Sequence, residues 1–405
     1  MRQKRLMLLG GLRYLIPVIE AAHNQGYYVI TADYLPDNIA HKYSDEYCNV
    51  SIIDKEAVLK EAQRLHIDGI MSFACDPGVL AASYVQNKMG LPSFGPYESV
   101  EILQNKDKFR AFLLEHGFNA PKAKGYSSVE EAIEDAYNWT YPVIVKPTDA
   151  AGSKGVTRVN ESIQLRKAAE YAIEKSLSGH LIIEEFIEKV GCSSDTDSFS
   201  VDGKLQFVSF NAQRFDADAK NPYTPAAYSW PSTFSEEQEQ YLTNEIQRLI
   251  SLLGMKTCLY NIETRIGING KPYIMELTPR GGGNRLSEML RFATGVDLIS
   301  AIARFCVGDG MPEIKQGSYD GNWVELILHA GQSGLFKELV IDNKKYKDYV
   351  VQTDLWVQRG NQVEPFEGAN DTIGTLIMNF PTAYERDYAI DNLRYWLKIL
   401  VYNTV

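Results

Sequence analysis

Polar and apolar residues alternate through residues 260–284, on both sides of a tight-turn signal at Asn269-Gly270. An Asn-Gly pair between two alternating segments is the strongest short-range signal of a β-hairpin. Counting outwards from a two-residue turn at this position brings Glu263 directly opposite Glu276. The pattern therefore predicts a hairpin in which two carboxylates face each other across neighbouring strands.

The two faces of this hairpin differ in chemistry, because successive side chains of a strand point to opposite sides. The apolar face predicts core packing through the pairs Ile262 with Leu277, Thr264 with Met275, and Ile266 with Tyr273. The other face carries Asn261, Glu263, Arg265, Ile274, Glu276 and Thr278. Opposed carboxylates with Cβ atoms about 4.5–5.5 Å apart should repel each other. A divalent cation between them would turn this repulsion into binding, and a site with few protein carboxylates suits Mg²⁺.

Two interpretations of the paired glutamates remain open from the hairpin alone. In the first they are solvated side chains of a surface hairpin. In the second they bind a metal ion next to Arg280 and the glycines 281–283, which offer a fixed cation and a backbone that a ligand can approach.

The first 90 residues alternate between short apolar runs and helical patterns, with strands expected at 6–9, 27–32 and 69–73. This alternation predicts a parallel sheet with helices on both faces. Ligands of such sheets bind at the loops that follow the strands, where Gly10, Gly11 and Asp76 lie. The two glycines form either a simple tight turn or a substrate loop. Asp76 is either a helix cap before Pro77 or a ligand contact.

The middle of the chain contains two apolar strands that carry charged residues. Residues 143–147 end in Lys146-Pro147, and the small-residue loop 148–156 that follows lacks the GK[ST] ending of a P-loop. This loop is either a flexible hairpin or a flap whose backbone N–H groups cover phosphates. In 182–187, Glu184 is either a solvated strand end or an acceptor for an adenine amino group. Residues 214–231, rich in Pro and Tyr, predict a long loop that serves as a lid or substrate wall.

Composition narrows the class of protein. The 405 residues carry a net charge of −11, which disfavours a nucleic-acid partner. The sequence contains no run of 18 apolar residues, so no membrane-spanning helix is expected. The start of the chain predicts a β-strand rather than a signal peptide. The five cysteines are scattered, so neither a zinc site nor a disulfide framework is indicated, and a cytoplasmic location is expected.

In their order along the chain, several short motifs together resemble the ATP-grasp superfamily of carboxylate–amine ligases. The residues that carry the resemblance are Asp107-Lys108, Val145-Lys146-Pro147, Gly152-Ser153-Lys154-Gly155-Val156, Glu184-Glu185-Phe186-Ile187, Asn261-Ile262-Glu263 and Glu276-Leu277-Thr278-Pro279-Arg280. The relatives that look most similar are biotin carboxylase, carbamoyl-phosphate synthetase, glycinamide ribonucleotide synthetase and L-amino-acid ligases.

The resemblance implies a mixed α/β and α+β fold. We expect an N-terminal parallel α/β domain at 1–95, a central ATP-grasp fold of two α+β subdomains at 96–310, and a C-terminal β-rich mixed domain at 311–405. A mobile lid subdomain is expected at about 142–210. The C-terminal part contributes packing, closure of the substrate side or dimerisation, and a homodimer is expected from the relatives.

The resemblance also implies roles for individual residues. Lys108 and Lys146 would hold phosphates, and residues 152–156, with Lys154 as a catalytic cation, would close over the triphosphate of ATP. Glu184 and the backbone of Glu185, Phe186 and Ile187 would bind adenine. Glu263 and Glu276 would hold Mg²⁺, with Mn²⁺ as an alternative, and Arg280 would steady an acyl-phosphate or a substrate carboxylate. The remaining expected substrate contacts, placed by position alone, are Gly10, Gly11, Asp76, Arg214, Arg265, Gly282, Gly283, Asn284 and Arg285.

The chain departs from the family pattern at two positions. Thr278 stands where a third metal ligand, usually Asn, is expected, and Ser193 stands where a ribose-binding Glu is expected, with Asp195 and Asp197 nearby. The predicted activity is ATP-dependent joining of a small carboxylic acid to an amine. The alternative is a nucleotide-binding regulatory or scaffold protein that has kept the fold without turnover.

Overall fold

The computed structural model describes residues 2–150 and 154–402. The predicted flap residues Gly152 and Ser153 therefore lie outside the described residues, while Lys154, Gly155 and Val156 lie within them.

Short strands and helices alternate along the described chain. The strands are β1 (Arg5–Leu9), β2 (Tyr28–Asp33), β3 (Glu46–Asn49), β4 (Gly69–Ser72), β5 (Ala123–Tyr126), β6 (Val143–Pro147), β7 (Thr157–Val159), β8 (Leu181–Glu185), β9 (Ser194–Val201), β10 (Lys204–Phe207), β11 (Ala212–Phe215), β12 (Pro225–Trp230), β13 (Cys258–Ile266), β14 (Pro272–Thr278), β15 (Asn322–His329), β16 (Gly334–Ile341), β17 (Val350–Leu355), β18 (Gln362–Val363), β19 (Thr372–Phe380) and β20 (Leu397–Tyr402). The α-helices are α1 (Ile16–Asn24), α2 (Lys55–Arg64), α3 (Val79–Met89), α4 (Tyr97–Gln104), α5 (Lys106–Glu115), α6 (Val129–Glu134), α7 (Leu165–Lys175), α8 (Glu236–Leu252), α9 (Leu286–Thr294), α10 (Leu298–Cys306), α11 (Lys344–Lys347), α12 (Ala383–Asp391) and α13 (Leu393–Trp396).

The chain divides into two compact units, each built from three separate segments. The first unit contains Met1–Lys124, Asp195–Ser209 and Ser235–Gly317, and the second contains Gly125–Ser194, Phe210–Phe234 and Ser318–Val405. The division into domains at 1–95, 96–310 and 311–405 stays a prediction.

The N-terminal sheet of the first unit is parallel, as the strand–helix alternation predicts. Its strand order is β3-β2-β1-β4, and Leu6 pairs with Val29 on one side and with Gly69 on the other. Apolar side chains of β1, β2, β4, α2 and α3 form one buried cluster beside this sheet. The edge strand β3 is not among the predicted elements, because its short sequence, Glu-Tyr-Cys-Asn, has little apolar content.

The second sheet of the first unit has the order β10-β9-β13-β14 and contains the predicted hairpin. Glu263 of β13 and Glu276 of β14 are direct partners across the antiparallel pair, which confirms this pairing. The helix α8, which precedes β13, begins with a capping box formed by Ser235 and Gln238.

The turn of this hairpin differs from the prediction. Backbone bonds from Gly267 to the Lys271 carbonyl (2.9 Å) and from Gly270 to the Gly267 carbonyl (2.8 Å) enclose a three-residue loop. Gly270 has a φ of +74°, typical of the bulge glycine that ends such a loop. The two-residue turn is therefore wrong, and the strand pairs nearest the loop are shifted by one residue relative to it.

A β-bulge at Met275 removes this shift before the strands reach the two glutamates. Thr264 pairs with Ile274, so the predicted pairs of Thr264 with Met275 and Ile266 with Tyr273 are wrong. The extra residue of a bulge lacks a ladder partner. Here the buried side chain of Arg110, on α5, donates from Nη1 to the Met275 carbonyl at 2.8 Å. Arg110 thus supports the bulge that sets the pairing of Glu263 with Glu276.

The second unit contains three sheets. Their strand orders are β5-β8-β6-β7, β11-β12-β15-β19-β17 and β18-β16-β20. One apolar cluster lies between the first of these sheets and α6 and α7, and a second is formed by the C-terminal strands with α12 and Trp396. The bounds of the expected long loop at 214–231 are wrong, because β11 ends at Phe215 and β12 covers Pro225–Trp230, and the two strands pair as an antiparallel hairpin around the shorter connection 216–224.

Within residues 2–150 and 154–402, no helix combines the length and the apolar character that crossing a membrane requires.

Arg110→Met should lower the free energy of unfolding by about 1–3 kcal/mol, because the bulge carbonyl of Met275 would lose its buried donor. The measurement is urea or thermal unfolding followed by circular dichroism. Arg64→Met is the matched control, since Arg64 is largely exposed and pairs with Glu61 three residues away. Equal stability of the two variants would contradict the role of Arg110 at the bulge.

Candidate active site

The two opposed glutamates are half-exposed, and each has a cationic neighbour in the first unit. Arg265, two residues from Glu263 on the same strand face, donates to the Glu263 carboxylate at 2.9 Å. Lys106, at the start of α5, lies 3.5 Å from the Glu276 carboxylate. The expected substrate contact Arg265 thus binds Glu263, and the repulsion between the carboxylates is offset by one cation on each side.

The donor set fits a hard divalent cation with an incomplete protein shell. Two carboxylates lie on neighbouring strands, and their side chains keep 28% and 39% of their surface exposed. Among the described residues, no group of three or more His, Cys, Asp or Glu side chains is arranged to hold a metal. Two carboxylates with open positions match the preference of Mg²⁺ for few protein ligands, water and phosphate oxygens.

Arg280 lies next to this pair and is held on several sides. Its Nε and Nη2 donate to the two oxygens of Asp76 at 2.9 Å each, and its Nη1 donates to Asn261 Oδ1 at 3.0 Å and to the Gly281 carbonyl at 2.9 Å. Burial works against the guanidinium charge, but the Asp76 carboxylate outweighs it and raises the pKa of Arg280. The Asp76 carboxylate is therefore bound by Arg280 rather than by a helix N-terminus, and its assignment as a substrate contact stays a prediction. Its carboxylate forms a fork with Arg280.

Two aspartates of β9 continue this network. Asn261 donates to Asp195 at 2.8 Å, and Asp197 accepts from the Gly282 N–H at 2.9 Å and from the Ser287 hydroxyl. Burial, reinforced by the charge of Glu263, raises the pKa of Asp195 to about 7. Burial also raises the pKa of Asp197 to about 6, against the lowering effect of its hydrogen bonds. The network joins β9, β13 and the glycine loop 281–283.

The glycine loop is closely packed. A Cβ on Gly281 would lie 2.2 Å from the Phe73 ring, and one on Gly282 would lie 2.9 Å from both Asp197 and Asn261. Gly283 borders the ring of Tyr14 at 3.8 Å. Only glycine fits at the first two positions, so the loop serves close packing beside Arg280.

Asn284 and Arg285 adopt positive φ angles of 48° and 56°, which non-glycine residues rarely do. Asn284 accepts from the Tyr14 hydroxyl at 2.9 Å, and Arg285 forms a buried fork with Glu288 at 2.9 and 3.1 Å. The cavity beside them has a volume of about 10 Å³, close to that of a single water molecule. Their assignment as substrate contacts stays a prediction.

The loop after β1 is also packed by its own neighbours. Gly10 has a φ of +115°, and a Cβ on Gly11 would lie 2.6 Å from the Asn38 side chain. The Gly11 carbonyl accepts from the Ala40 N–H at 3.0 Å. These contacts are those of a tight turn, and a substrate contact of Gly10 and Gly11 stays a prediction.

In the second unit, Lys146 and Glu184 form a buried ion pair. Lys146 lies opposite Ile182 in the β6–β8 pair, so Glu184 is its diagonal neighbour on the same sheet face. Glu185 is exposed, Ile187 is buried, and Phe186 lies under Arg158 at 4.2 Å.

The described part of the flap begins with exposed Lys154. Gly155 follows with a φ of +72° and Val156 is half-buried. A Cβ on Gly155 would lie 2.7 Å from Pro147, so only glycine fits at this position.

Two predicted site cations pair with acidic residues in the structure. Lys108 lies 3.0 Å from Glu101 and both are half-exposed, while Arg214 binds Asp387 at 2.7 Å. Lys106, rather than Lys108, lies beside Glu276. The roles of Lys108 and Arg214 stay predictions.

Sequence reasoning did not identify Lys106 and Ser287 as members of the cluster. Alternation placed Asn261 on the polar face beside Glu263, but no role in the site was assigned to it. Lys106 lies half a helical turn from Lys108, and pattern alone does not separate their directions. Ser287 and Asp197 are 90 residues apart in the sequence, so no local sequence pattern could have predicted their hydrogen bond.

The comparisons with known proteins find similarity to one protein family and one fold. Residues 139–288 match the family model of the ATP-grasp domain. The carbamoyl phosphate synthase large chain of Bifidobacterium adolescentis is 26% identical over 273 residues, which cover 64% of this chain and 23% of the relative. The chain thus spans about a quarter of the length of this relative.

Solved structures extend the similarity in fold over the whole chain. The L-amino acid ligase from Bacillus licheniformis has a TM-score of 0.81 at 20% identity, covering 100% of both chains. The biotin carboxylase domain dimer of 2-oxoglutarate carboxylase from Hydrogenobacter thermophilus, in complex with MgADP, ADP and bicarbonate, has a TM-score of 0.74 at 16% identity. It covers 99% of this chain and 91% of that one.

The architecture and the family match together define an ATP-grasp fold. The ATP-grasp family model matches residues 139–288, and the predicted resemblance and fold class are confirmed.

Asp197→Asn should become more stable relative to wild type as the pH rises from about 4.5 to 8. The raised pKa of Asp197, about 6, means that the fold favours the protonated carboxyl. Wild type therefore loses stability as the pH rises through 4 to 6, by up to about 3 kcal/mol, and the neutral amide does not.

The measurement is the unfolding midpoint of both proteins at the two pH values. The control is Asp37→Asn at an exposed aspartate. A stability difference between Asp197→Asn and wild type that is the same at both pH values would contradict the burial of this carboxyl.

Proposed function

We propose that the protein is an ATP- and Mg²⁺-dependent ligase. It activates a small carboxylic acid as an acyl-phosphate and joins it to an amine, releasing ADP and phosphate. The observation that carries the proposal is the pair of opposed carboxylates, Glu263 and Glu276, beside the anchored cation Arg280. The ATP-grasp match to residues 139–288 and the MgADP of the similar biotin carboxylase structure support it.

Glu263 and Glu276 are the residues that hold the metal ion in this proposal. When bound, Mg²⁺ neutralises phosphate charge and orients the terminal phosphate for transfer. Lys106 and Arg265 offset the carboxylate repulsion, and with a metal ion held by the glutamates their positive charges would serve phosphate oxygens.

Arg280 stabilises negative charge on the substrate. An oxygen of the acid attacks the terminal phosphorus of ATP, the bond from this phosphorus to the bridging oxygen breaks, and ADP leaves. The amine nitrogen then attacks the acyl carbon, the carbon–oxygen bond to phosphate breaks, and the nitrogen loses a proton. A guanidinium fixed before the reaction stabilises the developing charge without reorganisation.

The second unit supplies the nucleotide contacts that the family resemblance implies. Lys146 binds phosphate, and Glu184 with the backbone of Glu185 and Ile187 binds adenine. Lys146 and Glu184 are partners in a buried pair. Each carries the charge that its role requires, and the nucleotide replaces part of their mutual contact.

The acid and the amine are small molecules. The similar L-amino acid ligase and the motifs that resemble those of glycinamide ribonucleotide synthetase support either an amino-acid ligation or the ligation of glycine to a phosphorylated aminosugar. A homodimer is part of the proposal, supported by the biotin carboxylase domain dimer.

A regulatory or scaffold protein without turnover is the second candidate. Thr278 supports it, because a hydroxyl is a weaker metal ligand than the amide expected at this position. Thr278 is buried directly opposite Asn261, whose amide oxygen accepts from Arg280. Release of ADP that depends on an added acid and amine separates the two candidates.

Glu276→Gln should reduce acid-dependent ADP release at least 100-fold, because the amide removes one of the two charges that hold the metal ion. The assay is a coupled ADP measurement over a panel of amino acids and other small acids with amines. Glu237→Gln, at an exposed position in the first turn of α8, is the matched control. Turnover of Glu276→Gln equal to that of wild type would refute the metal role.

A further inference from the structure

The fork between Asp76 and Arg280 is a largely enclosed ion pair beside the carboxylate pair. The two side chains keep 20% and 11% of their surface exposed, and both oxygens of Asp76 accept a hydrogen bond at 2.9 Å. Bidentate pairs of this kind fix orientation as well as distance, because two parallel bonds leave the guanidinium plane no freedom to rotate.

The other donors of Arg280 are nearly all used as well. A guanidinium has five N–H groups. Nε and one N–H of Nη2 bind Asp76, and the two N–H groups of Nη1 bind Asn261 and Gly281. One N–H of Nη2 remains, on the edge of the guanidinium away from Asp76. Arg280 therefore offers a substrate a single directed donor rather than a second fork.

The backbone around Asp76 is fixed to the same loop. The Ala74 N–H donates to the Gly281 carbonyl at 3.0 Å, and the Phe73 ring packs where a side chain of residue 281 would lie. Ala74 adopts a φ of +51°, which is unfavourable for a non-glycine residue. Strained residues persist only where the surrounding structure determines them, and they cluster at functional sites.

We propose that Asp76 is a positioning residue of the reaction. It holds the guanidinium of Arg280 in one orientation, so that the remaining Nη2 N–H meets one oxygen of the reacting acyl group. This inference rests on the proposed function for its catalytic consequence, but the fork itself can be tested without turnover.

The rival explanation is competition. Asp76 could occupy the fork that a substrate carboxylate needs, and leave it when the substrate binds. The two explanations predict opposite effects of removing the Asp76 charge. Loss of a positioning residue lowers kcat, whereas loss of a competitor lowers the KM for the acid.

The first experiment measures kcat and the KM values for the acid and for ATP in two variants of Asp76 and in one control variant. Asp76→Asn should reduce kcat about 10- to 100-fold, the usual cost of losing a residue that orients a catalytic group, with the KM for ATP within about twofold. Asp76→Glu keeps the charge but displaces the guanidinium by a methylene, and it should also lose kcat. Asp68→Asn breaks an aspartate–arginine pair at the opposite end of the same sheet and should leave kcat unchanged.

A lower KM for the acid in Asp76→Asn with kcat retained would overturn the proposal in favour of competition. Full kcat in Asp76→Glu together with reduced kcat in Asp76→Asn would also overturn it, because charge alone would then suffice.

The second experiment is a stability cycle with Asp76→Asn, Arg280→Gln and the double variant, measured as unfolding midpoints without substrate. Each single variant should lower the midpoint, and the double variant should lower it by less than the sum of the two. Additive changes would overturn the fork. If the stability effects of the two substitutions are not additive but the wild-type protein releases no ADP with any acid, the proposed function is refuted. Asp76 would then still be the residue that holds Arg280.

Discussion

Two like charges held face to face across neighbouring strands are the constraint on which the rest of the first unit depends. An antiparallel ladder brings opposed side chains close together, and two carboxylates in this position destabilise the fold that contains them. The chain nonetheless fixes the register of Glu263 and Glu276 with a bulge, and it gives that bulge a buried arginine as support. An unfavourable contact that the surrounding structure holds in place is typical of a ligand site.

The polar groups around the pair form a graded series from exposed to buried. Glu263 and Glu276 are half-exposed and have cationic neighbours, while Asp197 is fully buried and has a raised pKa. Because burial disfavours the ionised form of Asp197, this carboxyl adds its negative charge to the cluster only as the pH rises past about 6. Arg280 lies between the half-exposed glutamates and the buried aspartate. Asp76 and Asn261 fix its side chain, so its positive charge has one defined position.

The sequence predicts those parts of the molecule that depend on local pattern. The parallel strands β1, β2 and β4 and the opposed glutamates follow from the periodicity of the sequence. The bulge at Met275 does not, because alternation in sequence continues through it unchanged. The hairpin of β11 and β12 was hidden by the Pro and Tyr content of 214–231, since tertiary pairing outweighs local propensity there.

The candidate site shows the same division. Alternation identified Glu263 and Glu276, and family resemblance identified Arg280. The fork between Asp76 and Arg280 joins residues that are 204 positions apart, and the contact of Asp197 with Ser287 also spans most of a domain's length. Such pairs depend on how distant segments of the chain pack together, and neither the composition of the sequence nor the spacing of its residues predicts this packing.

The three-residue loop of the hairpin and the bulge divide the control of register between them. The loop sets only the strand pairs from Gly267 with Lys271 to Thr264 with Ile274. The bulge, supported by Arg110, sets the pairs beyond them, beginning with Glu263 and Glu276. Ile268, at the loop tip, is largely exposed. A longer connection at the tip would change only the strand pairs next to the loop and would leave Glu263 and Glu276, beyond the bulge, in place. The tip is therefore a suitable place to graft an epitope or a fluorophore.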